Sequence, residues 1–494
     1  MKKMKKLVSI LLCLLMITGM IAACGKKEAE EPEATPTVKA TEAPADNATE
    51  TPTPTTADEK SFELTLGIWP EDTLTDEIAL HEGYVKKFNE SHPNITVVPA
   101  YYHYAVDTFV PLAESGGLPV IFETWYTDTQ KLINGGFVAD ITDNLSKRGW
   151  LDKIKPEILG IMSKDGKAYG IPRDGYALGI MLNLELFEQA GLMDADGNPI
   201  YPKTWDELAE TAKTIKDKTG AAGLCLLAMD NAGGWHFSNI AWAFGANFVT
   251  IGSDGKYTAD VDSPEAIAAM EYVKSLKWKY DILTDDPTTE NWGTGFEKLG
   301  TGAAGMYIAA NDAVNQPTYS YGLPVDKLAL VPMPAGPNGA QFSLSGGTPY
   351  MFSKDATSDQ IDAALDYIEI MGKGPVFSEG MEADAQYRVA NGIPVIPRFQ
   401  CWTDQSVIDK ENAVVAQYSN VNMNLYNDYF NILKKSGNLR IEEQGDTQEL
   451  YRELTNVLQA VLTDKNSDVG ALMKTADENY QKILDTGINS TIGN

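Results

Sequence analysis

The sequence is poor in the residues that build metal sites and nucleophilic active sites. Its 494 residues include four histidines and four cysteines, and no two histidines have the H-x-x-x-H spacing of a zinc-binding helix. The G-x-S-x-G motif of serine hydrolases and the G-x-x-x-x-G-K-S/T motif of phosphate-binding loops are absent. The sequence therefore indicates no metal, no cofactor and no catalytic residue, and we predict that the chain is not an enzyme.

Basic residues are also scarce. Lysine and arginine number 40 against 69 aspartates and glutamates, which gives a net charge of −29. A field of this sign repels nucleic acid and anionic membrane surfaces, and we expect it to disfavour highly anionic ligands. We predict no nucleic-acid partner. Cys225 and Cys401 lack metal-ligand spacing and are predicted to be ordinary buried or loop thiols, and the sequence leaves open whether they pair.

Long apolar runs are confined to the first residues of the chain. Lysines precede an apolar stretch, residues 7–21, that is shorter than the roughly 20 residues of a membrane span. The stretch ends in "IAAC" (residues 21–24), which resembles the lipobox of bacterial lipoproteins. We expect residues 1–23 to be a signal peptide and Cys24 to carry a diacylglycerol. The alternative is an uncleaved signal-anchor.

The segment that follows, residues 24–61, is dominated by Glu, Thr, Pro and Ala. Such a composition cannot bury enough apolar surface to fold, so we expect a disordered tether. The anchor and tether together predict a protein at the outer face of the cytoplasmic membrane, which touches that membrane only through its lipid.

From residue 62 onward, strand patterns alternate with helix patterns. The segments "FELTLGIW" (62–69), "ITVVPAYY" (95–102) and "PVIFETWY" (119–126) have the apolar runs of strands and are separated by helical segments. This order predicts an α/β fold with crossover connections, in a chain long enough for two domains. Ser263, which precedes Pro264, and Ser358 are predicted to cap helices.

One stretch carries a more specific signal. The segment "YGIPRDGYALGIMLNLELFEQAGL" (169–192), with "PKTWDEL" ten residues later, resembles the carbohydrate-binding extracellular solute-binding proteins of bacterial ABC importers, the family that includes maltose-binding protein. Three later segments are similar to that family in the expected order: "GFEKLGTGAAGMYIAAND" (295–312), "SLSGGTPYMFSKDATSDQIDAALDYIEIM" (343–371) and "LTDKNSDVGALMKTADENYQKIL" (462–484). The resemblance covers residues 62–486.

The resemblance implies two α/β lobes joined by hinge strands, with the ligand in the cleft between them. It assigns residues 62–175 and 302–353 to an N-lobe, and residues 176–301 and 354–494 to a C-lobe. It implies a monomeric, lipid-anchored receptor that captures a saccharide, in particular an oligosaccharide, and delivers it to the permease subunits of an ABC transporter. Two alternatives stay open: a binding protein for a non-sugar solute such as a peptide or polyamine, and a lipid-anchored glycoside-active enzyme.

Candidate ligand-binding residues follow from the strand ends. Ligands of open α/β sheets collect beyond the carboxyl ends of the strands, and sugars are held by stacked aromatic rings and planar polar side chains. The resemblance places most of the same segments around the sugar cleft of the family. The candidates are Trp69, Glu71, Tyr102, Glu123, Trp125, Tyr126, Arg173, Asp174, Tyr176, Trp235, His236, Asn311, Asp312 and Trp402.

Several tryptophans and charged residues also have a structural interpretation. The alternatives are packing for Trp69 and Trp235, helix capping for Glu123 and Asp312, and a hinge salt bridge for Arg173. Many family members carry a tryptophan where this chain has Asn311 and Asp312, so the stacking partner there is open. Three tryptophans on helices away from strand ends are predicted to be structural: Trp242, Trp278 and Trp292.

Overall fold

The computed structural model describes residues 61–492. The predicted signal peptide, the predicted lipidation site Cys24 and the predicted tether up to residue 60 lie outside the described residues. Within residues 61–492, none of the helices combines the length and the apolar character needed to cross a membrane.

The strands of the described part are, in chain order, β1 (Phe62–Leu66), β2 (Ile95–Pro99), β3 (Ile121–Glu123), β4 (Ser163–Lys164), β5 (Lys167–Ala168), β6 (Gly170–Pro172), β7 (Tyr176–Asn183), β8 (Ala222–Cys225), β9 (Val249–Ile251), β10 (Tyr257–Ala259), β11 (Ala304–Ala310), β12 (Leu328–Val331), β13 (Ser343–Gly346), β14 (Pro349–Phe352) and β15 (Leu439–Ile441).

The α-helices of the same part are α1 (Thr75–Ser91), α2 (Val106–Glu114), α3 (Thr129–Asn134), α4 (Thr142–Arg148), α5 (Pro156–Ile161), α6 (Leu184–Ala190), α7 (Trp205–Thr219), α8 (Asp230–Phe244), α9 (Pro264–Trp278), α10 (Trp292–Gly300), α11 (Ser358–Ile370), α12 (Met381–Ala390), α13 (Gln405–Tyr418), α14 (Asn424–Leu433), α15 (Thr447–Thr463) and α16 (Val469–Thr486).

The first sheet has the strand order β2-β1-β3-β14-β6. Strand β1 pairs in parallel with β2 and β3, while β14 runs antiparallel to β3 and β6. Leu64, Leu66, Ile121 and Phe352 from these strands share one core with the buried face of α11. The parallel strands with helical crossovers confirm the predicted α/β class for this sheet.

The second sheet has the order β15-β13-β7-β11-β8, and β12 also pairs with β7. Strand β7 is antiparallel to β11, β12 and β13, and its residues from Ala177 to Asn183 are buried, as expected for an apolar run without polar alternation. Gly179 is required in this strand. A Cβ atom there would lie 2.6 Å from the Val331 carbonyl oxygen and 2.8 Å from the Tyr429 ring.

The two sheets define two lobes whose boundaries differ from the prediction. Sheet membership changes between β6 and β7, near the predicted crossing at residue 175. The assignment of residues 302–353 to the N-lobe is wrong for 304–346, because β11, β12 and β13 all belong to the second sheet. The assignment of residues after 354 to the C-lobe is wrong for α11, which packs on the first sheet. The chain therefore returns to the first lobe between Gly346 and Pro349.

One of the two predicted serine caps is confirmed. The Ser263 hydroxyl accepts a hydrogen bond from the Ala266 amide, and Pro264 is the first residue of α9. The prediction for Ser358 is wrong by one position. Thr357 caps α11, because Gln360 lies three residues after it and the two side chains accept hydrogen bonds from each other's backbone amides.

The two cysteines of the described part are buried and do not form a disulfide. Cys225 ends β8, and Cys401 lies against the first lobe, where its carbonyl accepts a hydrogen bond from the Lys155 amide. Burial raises the pKa of the Cys401 thiol to about 12. Both side chains are buried thiols, as the sequence predicts.

Candidate functional site

A cavity of about 500 Å³ lies where loops from the first sheet meet helices and strand ends of the second. Trp125 and Thr127 follow β3 of the first sheet, while most of the other lining residues come from the second lobe. We call this space the aromatic cavity. Its lining residues are Trp125, Thr127, Tyr176, Asn231, Ala232, Trp235, Trp292, Asp312, Gly347, Thr348, Glu442, Gln448 and Tyr451.

Three tryptophans line the aromatic cavity: Trp125, Trp235 and Trp292. Trp235 packs edge-on against Tyr176 and Trp292, with ring centroids 6.0 and 5.3 Å apart. Trp125 and Trp292 remain 36% and 37% exposed, which is unusual for so large an apolar side chain beside a core. The cavity therefore presents aromatic surface that is held in place by packing and is still open to a ligand.

Close backbone packing fixes Trp235. Helix α8 begins at Asp230, and Gly233 and Gly234 let it lie directly against α15. A Cβ atom on Gly234 would be 2.1 Å from the Tyr451 carbonyl oxygen, so no larger residue fits without movement. The Gly234 amide donates to the Thr455 hydroxyl at 2.8 Å, which locks the two helices together.

A buried acid lies at the base of the aromatic cavity. The Tyr451 hydroxyl donates to Glu442 Oε1 at 3.0 Å. A Cβ atom on Gly346 would lie 2.3 Å from the Tyr176 hydroxyl oxygen and 2.7 Å from Glu442 Oε2, so glycine makes room for both. Burial raises the pKa of Glu442 to about 8, and the Tyr451 hydrogen bond opposes that shift only in part. At neutral pH this carboxyl group is mainly protonated and can both donate and accept hydrogen bonds.

Asp312 is the second carboxyl group of the cavity. It follows β11 in a short 3₁₀ turn. Asp312 keeps an exposed surface, yet partial removal from bulk water and, secondarily, the negative charge of Asp174 raise the pKa of Asp312 to about 6. At pH 7 this carboxyl group therefore stays mainly ionised, in contrast to Glu442.

Contacts between the lobes close the cavity on one side. Gln448 Nε2 of α15 donates to the Thr127 hydroxyl at 3.2 Å. Lys131 Nζ of α3 lies 2.9 Å from Asp446 Oδ1, and the Asp446 side chain is only 2% exposed. These contacts join α3 and the loop after β3 to the start of α15, so the two lobes meet next to the aromatic lining.

A second cavity, of about 400 Å³, adjoins the first. Asp312 lines both, and the second is closed by α12, α13 and residues 394–402. We call it the ionic cavity, because its wall contains the charged residues Arg173, Lys373, Arg388, Arg398, Asp174, Asp312, Asp384 and Glu411.

Arg173 forms ion pairs that link this wall to the segment where the chain passes from the first lobe to the second. Its guanidinium lies 2.5 Å from Glu123 Oε2 and 2.6 Å from Asp174 Oδ2. The other Asp174 oxygen accepts a hydrogen bond from the Thr348 amide at 3.1 Å, so both crossing segments are joined through one carboxylate. The salt-bridge interpretation of Arg173 is confirmed, although the side chain also lines the ionic cavity.

Nine of the fourteen predicted site residues line one of the cavities or form an ion pair with a residue that does. Those that line the aromatic cavity are Trp125, Tyr176, Trp235 and Asp312. Those that line the ionic cavity are Arg173, Asp174, Asn311 and Trp402, again with Asp312. Glu123 lines neither cavity but forms the ion pair with Arg173.

The remaining five predicted residues lie elsewhere. Trp69 packs edge-on against His81, Glu71 is exposed, and Tyr102 packs against Phe122. Tyr126 is 1% exposed, and its hydroxyl donates to the Asp174 carbonyl. His236 is fully buried, and burial lowers its pKa to about 3. It follows Trp235 on a helix, where successive side chains point about 100° apart, so only one of the two faces the cavity.

The sequence reasoning missed several lining residues, and the interpretation of Trp292 as purely structural is wrong. Trp292 is the first residue of α10 and lies beside Trp235. The Asn291–Thr294 capping box placed it at a helix start, a signal comparable to the one that identified Trp235. Asn231, Glu442, Gln448 and Tyr451 also start helices or follow a short strand, but no local pattern marked them.

Within residues 61–492, no group of three histidine, cysteine, aspartate or glutamate side chains is arranged to hold a metal ion. The aromatic cavity is suited to binding a ligand. It offers ring faces, a neutral carboxyl group, amides and hydroxyls within one enclosed space. This is the donor and acceptor set expected for an uncharged polar ligand with apolar faces.

Comparison with known proteins identifies relatives of this arrangement. Residues 72–372 match the family model described as bacterial extracellular solute-binding protein. The chain is 26% identical over 302 residues to a binding protein of Brucella abortus, covering 57% of this chain and 66% of that one, so it spans just under two thirds of that relative's length. It is 23% identical over 391 residues to the arabinooligosaccharide-binding protein of Bacillus subtilis, covering 75% and 79% of the two chains.

The fold is shared with solved structures. Maltose-bound MalE3 of T. maritima superposes with a TM-score of 0.64 at 18% identity, over 86% of this chain and 99% of that one. The predicted two-lobed fold class is thereby confirmed. The family-model match covers more than half of the chain and ends before α12 and α13, which enclose the ionic cavity. The predicted family is confirmed as well: the chain belongs to the bacterial extracellular solute-binding proteins.

Proposed function

We propose that this chain is the saccharide-binding component of an ABC importer and that the aromatic cavity holds the sugar. The observation that carries the proposal is the exposure of tryptophan faces inside an enclosed, otherwise polar space. Trp125 and Trp292 are more than one-third exposed while Trp235 packs between Tyr176 and Trp292. Sugars present flat C–H faces and a rim of hydroxyl groups, which such a lining fits.

The charge state of Glu442 argues against a polycationic ligand. Glu442 has a pKa of about 8 because it is buried, so at pH 7 it is a hydrogen-bonding group without charge. A polyamine site would need ionised carboxylates to balance its cations. The saccharide is therefore favoured over the polyamine alternative, and the name of the Bacillus subtilis relative points the same way.

The proposal includes a place and a partner for the protein. We place it at the outer face of the cytoplasmic membrane, held by a lipid on Cys24, as a monomer that passes its ligand to permease subunits. Acyl labelling of the wild type and of Cys24→Ala tests the anchor. We expect label only on the wild type, and label that persists on the variant contradicts the anchor.

Isothermal titration calorimetry of the purified chain against mono- and oligosaccharides, peptides and polyamines tests the ligand class. We expect heat and a change in tryptophan fluorescence with a saccharide, because ring faces become covered. A response to peptides or polyamines alone contradicts the proposal. Chromatography of the sugar after incubation tests the glycoside-active alternative, and we expect the sugar to be recovered intact.

The variant Trp292→Ala tests the cavity itself. Loss of a stacked tryptophan removes about 1.5–3 kcal/mol of apolar contact, so we expect the dissociation constant to rise roughly 10- to 150-fold. Tyr319→Ala is the matched control, because Tyr319 is 53% exposed and lines neither cavity. Equal affinity in Trp292→Ala and the wild type would place the sugar elsewhere.

A further inference from the structure

The ionic cavity brings four cations and four acids together in one wall. The chain has a net charge of −29, and this wall holds Arg173, Lys373, Arg388 and Arg398 beside Asp174, Asp312, Asp384 and Glu411. Uncompensated cations that are partly removed from water are unfavourable, so each needs a counter-charge nearby. The pairing of these four cations therefore indicates what the cavity can accept.

Three of the four cations have partners. Arg173 is held between Glu123 and Asp174. Arg388 and Arg398 share one carboxylate, since Asp384 Oδ2 lies 2.9 Å from Arg388 Nε and 3.5 Å from Arg398 Nη2. The 3.5 Å distance is long for an ion pair, so Arg398 is only weakly compensated. A fourth acid, Glu411, already accepts a hydrogen bond from Gln400 at 2.8 Å.

Lys373 has no such partner. Its ammonium group forms no hydrogen bond or ion pair with any residue in 61–492. Lys373 lies between Gly372 and Gly374, both in the left-handed region with φ of 71° and 87°, and all three line the cavity. Burial lowers the pKa of Lys373, repulsion from Arg173 and Arg398 adds to that shift, and attraction from Asp174 and Glu123 opposes it. The two left-handed glycines thus place in the ionic cavity an amine that forms no ion pair of its own.

We propose that the ionic cavity binds one anionic group, a carboxylate or a phosphate, carried by the saccharide that occupies the aromatic cavity. This inference rests on the proposed function, because the two cavities adjoin through Asp312. The ligand class is then an acidic saccharide, such as one with a uronic acid residue. The negative field of the whole chain opposes highly charged ligands, whereas a single anion is offset locally by Lys373 and Arg398.

Calorimetry of the full chain with matched probes tests this proposal. One set of probes compares glucose with glucuronate and with glucose 6-phosphate, and a second compares galactobiose with digalacturonate. Inorganic phosphate alone is the last probe. We expect a charged member to bind about tenfold more tightly than its neutral partner, the effect of one charge-assisted hydrogen bond. We expect no measurable binding of inorganic phosphate, since it cannot occupy the aromatic cavity.

Variants separate the charge from the fold. In Lys373→Gln we expect the preference for the charged member, measured as the ratio of the two dissociation constants within that variant, to fall to within about twofold. Lys373→Arg should retain the preference, and Lys354→Gln, at an exposed lysine outside both cavities, should match the wild type. Thermal unfolding of each variant checks that the fold is intact.

The outcomes distinguish this inference from the proposed function. If neutral and charged sugars bind equally, the acidic ligand is overturned while the saccharide function stands. If no sugar binds, both are overturned. If inorganic phosphate binds alone and Lys373→Gln abolishes that binding, the cavity takes a free anion and the link to the saccharide is wrong.

Discussion

The two adjoining cavities are built on different physical principles. The aromatic cavity depends on shape: Gly234 and Gly346 remove side chains so that Trp235, Tyr176 and Glu442 fit closely together. The ionic cavity depends on charge, and its wall is held by ion pairs around Arg173 and Asp384. Backbone fit therefore positions the lining of the aromatic cavity, whereas ion pairs between charged side chains position the wall of the ionic cavity.

The carboxyl groups of the two cavities differ in the same way. Glu442 lies in the closely packed base of the aromatic cavity, where it is kept neutral by burial. Glu411 of the ionic cavity is only partly buried and accepts a hydrogen bond from Gln400. A rise of pH toward 8 should therefore place charge at the base of the aromatic cavity, through Glu442.

The largest expected effect comes from Glu442→Gln. The folded pKa of about 8 lies above the ordinary value of 4.5, so the folded state keeps a proton that the unfolded state loses, and wild-type stability falls as pH rises from about 4.5 to 8. Glutamine imitates the protonated acid and removes this loss. Urea unfolding at pH 8 should show the variant roughly 3–5 kcal/mol more stable than the wild type, with a smaller difference at pH 5.

The control for this prediction is Glu411→Gln in the ionic cavity. Because the Glu411 side chain is only partly buried, we expect its replacement to change the free energy of unfolding at pH 8 by less than about 1 kcal/mol. If both variants are stabilised equally at pH 8, the contrast between the two carboxyl groups is wrong.

A second prediction concerns backbone fit. In Gly234→Ala the new Cβ would meet the Tyr451 carbonyl oxygen at 2.1 Å, so α8 must move away from α15 and take Trp235 with it. We expect a loss of about 2–3 kcal/mol in the free energy of unfolding, measured by urea denaturation, together with weaker sugar binding.

Gly83→Ala is the matched substitution. Gly83 lies within α1, and nothing stands within 4 Å of its Cβ position. Alanine is the better helix former, so this variant should gain about 0.5–1 kcal/mol. A loss in both variants would mean that close approach of the two helices is not what requires glycine at position 234.

The sequence predicted the fold well and the site only in part. The apolar run of β7 and the strand-helix alternation were local patterns, and they predicted the α/β class. Strand pairing is not local, and the resemblance that assigned residues 304–346 to the wrong lobe did not show that β11 pairs with β7 and β8 of the second sheet. Long-range pairing, rather than propensity, decided that boundary.

The site residues divide in a similar manner. Trp125 and Asp312 come just after β3 and β11, so the strand-end rule led to two residues that line the aromatic cavity. Tyr176 is the first residue of β7 and was predicted from the crossing between the lobes instead. Tyr102 obeys the strand-end rule but follows the edge strand β2, two strands away from β3. Glu442 and Tyr451 reach the cavity only because β15 and α15 return to the cleft late in the chain, and no sequence pattern encodes that return.

The smallest expected effect tests the ion pairs of the ionic cavity, through Arg173→Met. The substitution leaves Glu123 and Asp174 without their shared cation, and both carboxylates are partly shielded from water, with exposed fractions of 29% and 40%. We expect a loss of about 1–2 kcal/mol in the free energy of unfolding, well below that for a fully buried pair. Lys87→Met breaks the exposed pair with Glu379, whose members are 57% and 87% exposed, and should change stability by less than about 0.5 kcal/mol.

Because Asp174 also holds the Thr348 amide at the crossing, Arg173→Met should in addition raise the dissociation constant for the sugar, which Lys87→Met should leave unchanged. Equal effects of the two substitutions would show that charge pairing does not position the ionic cavity wall.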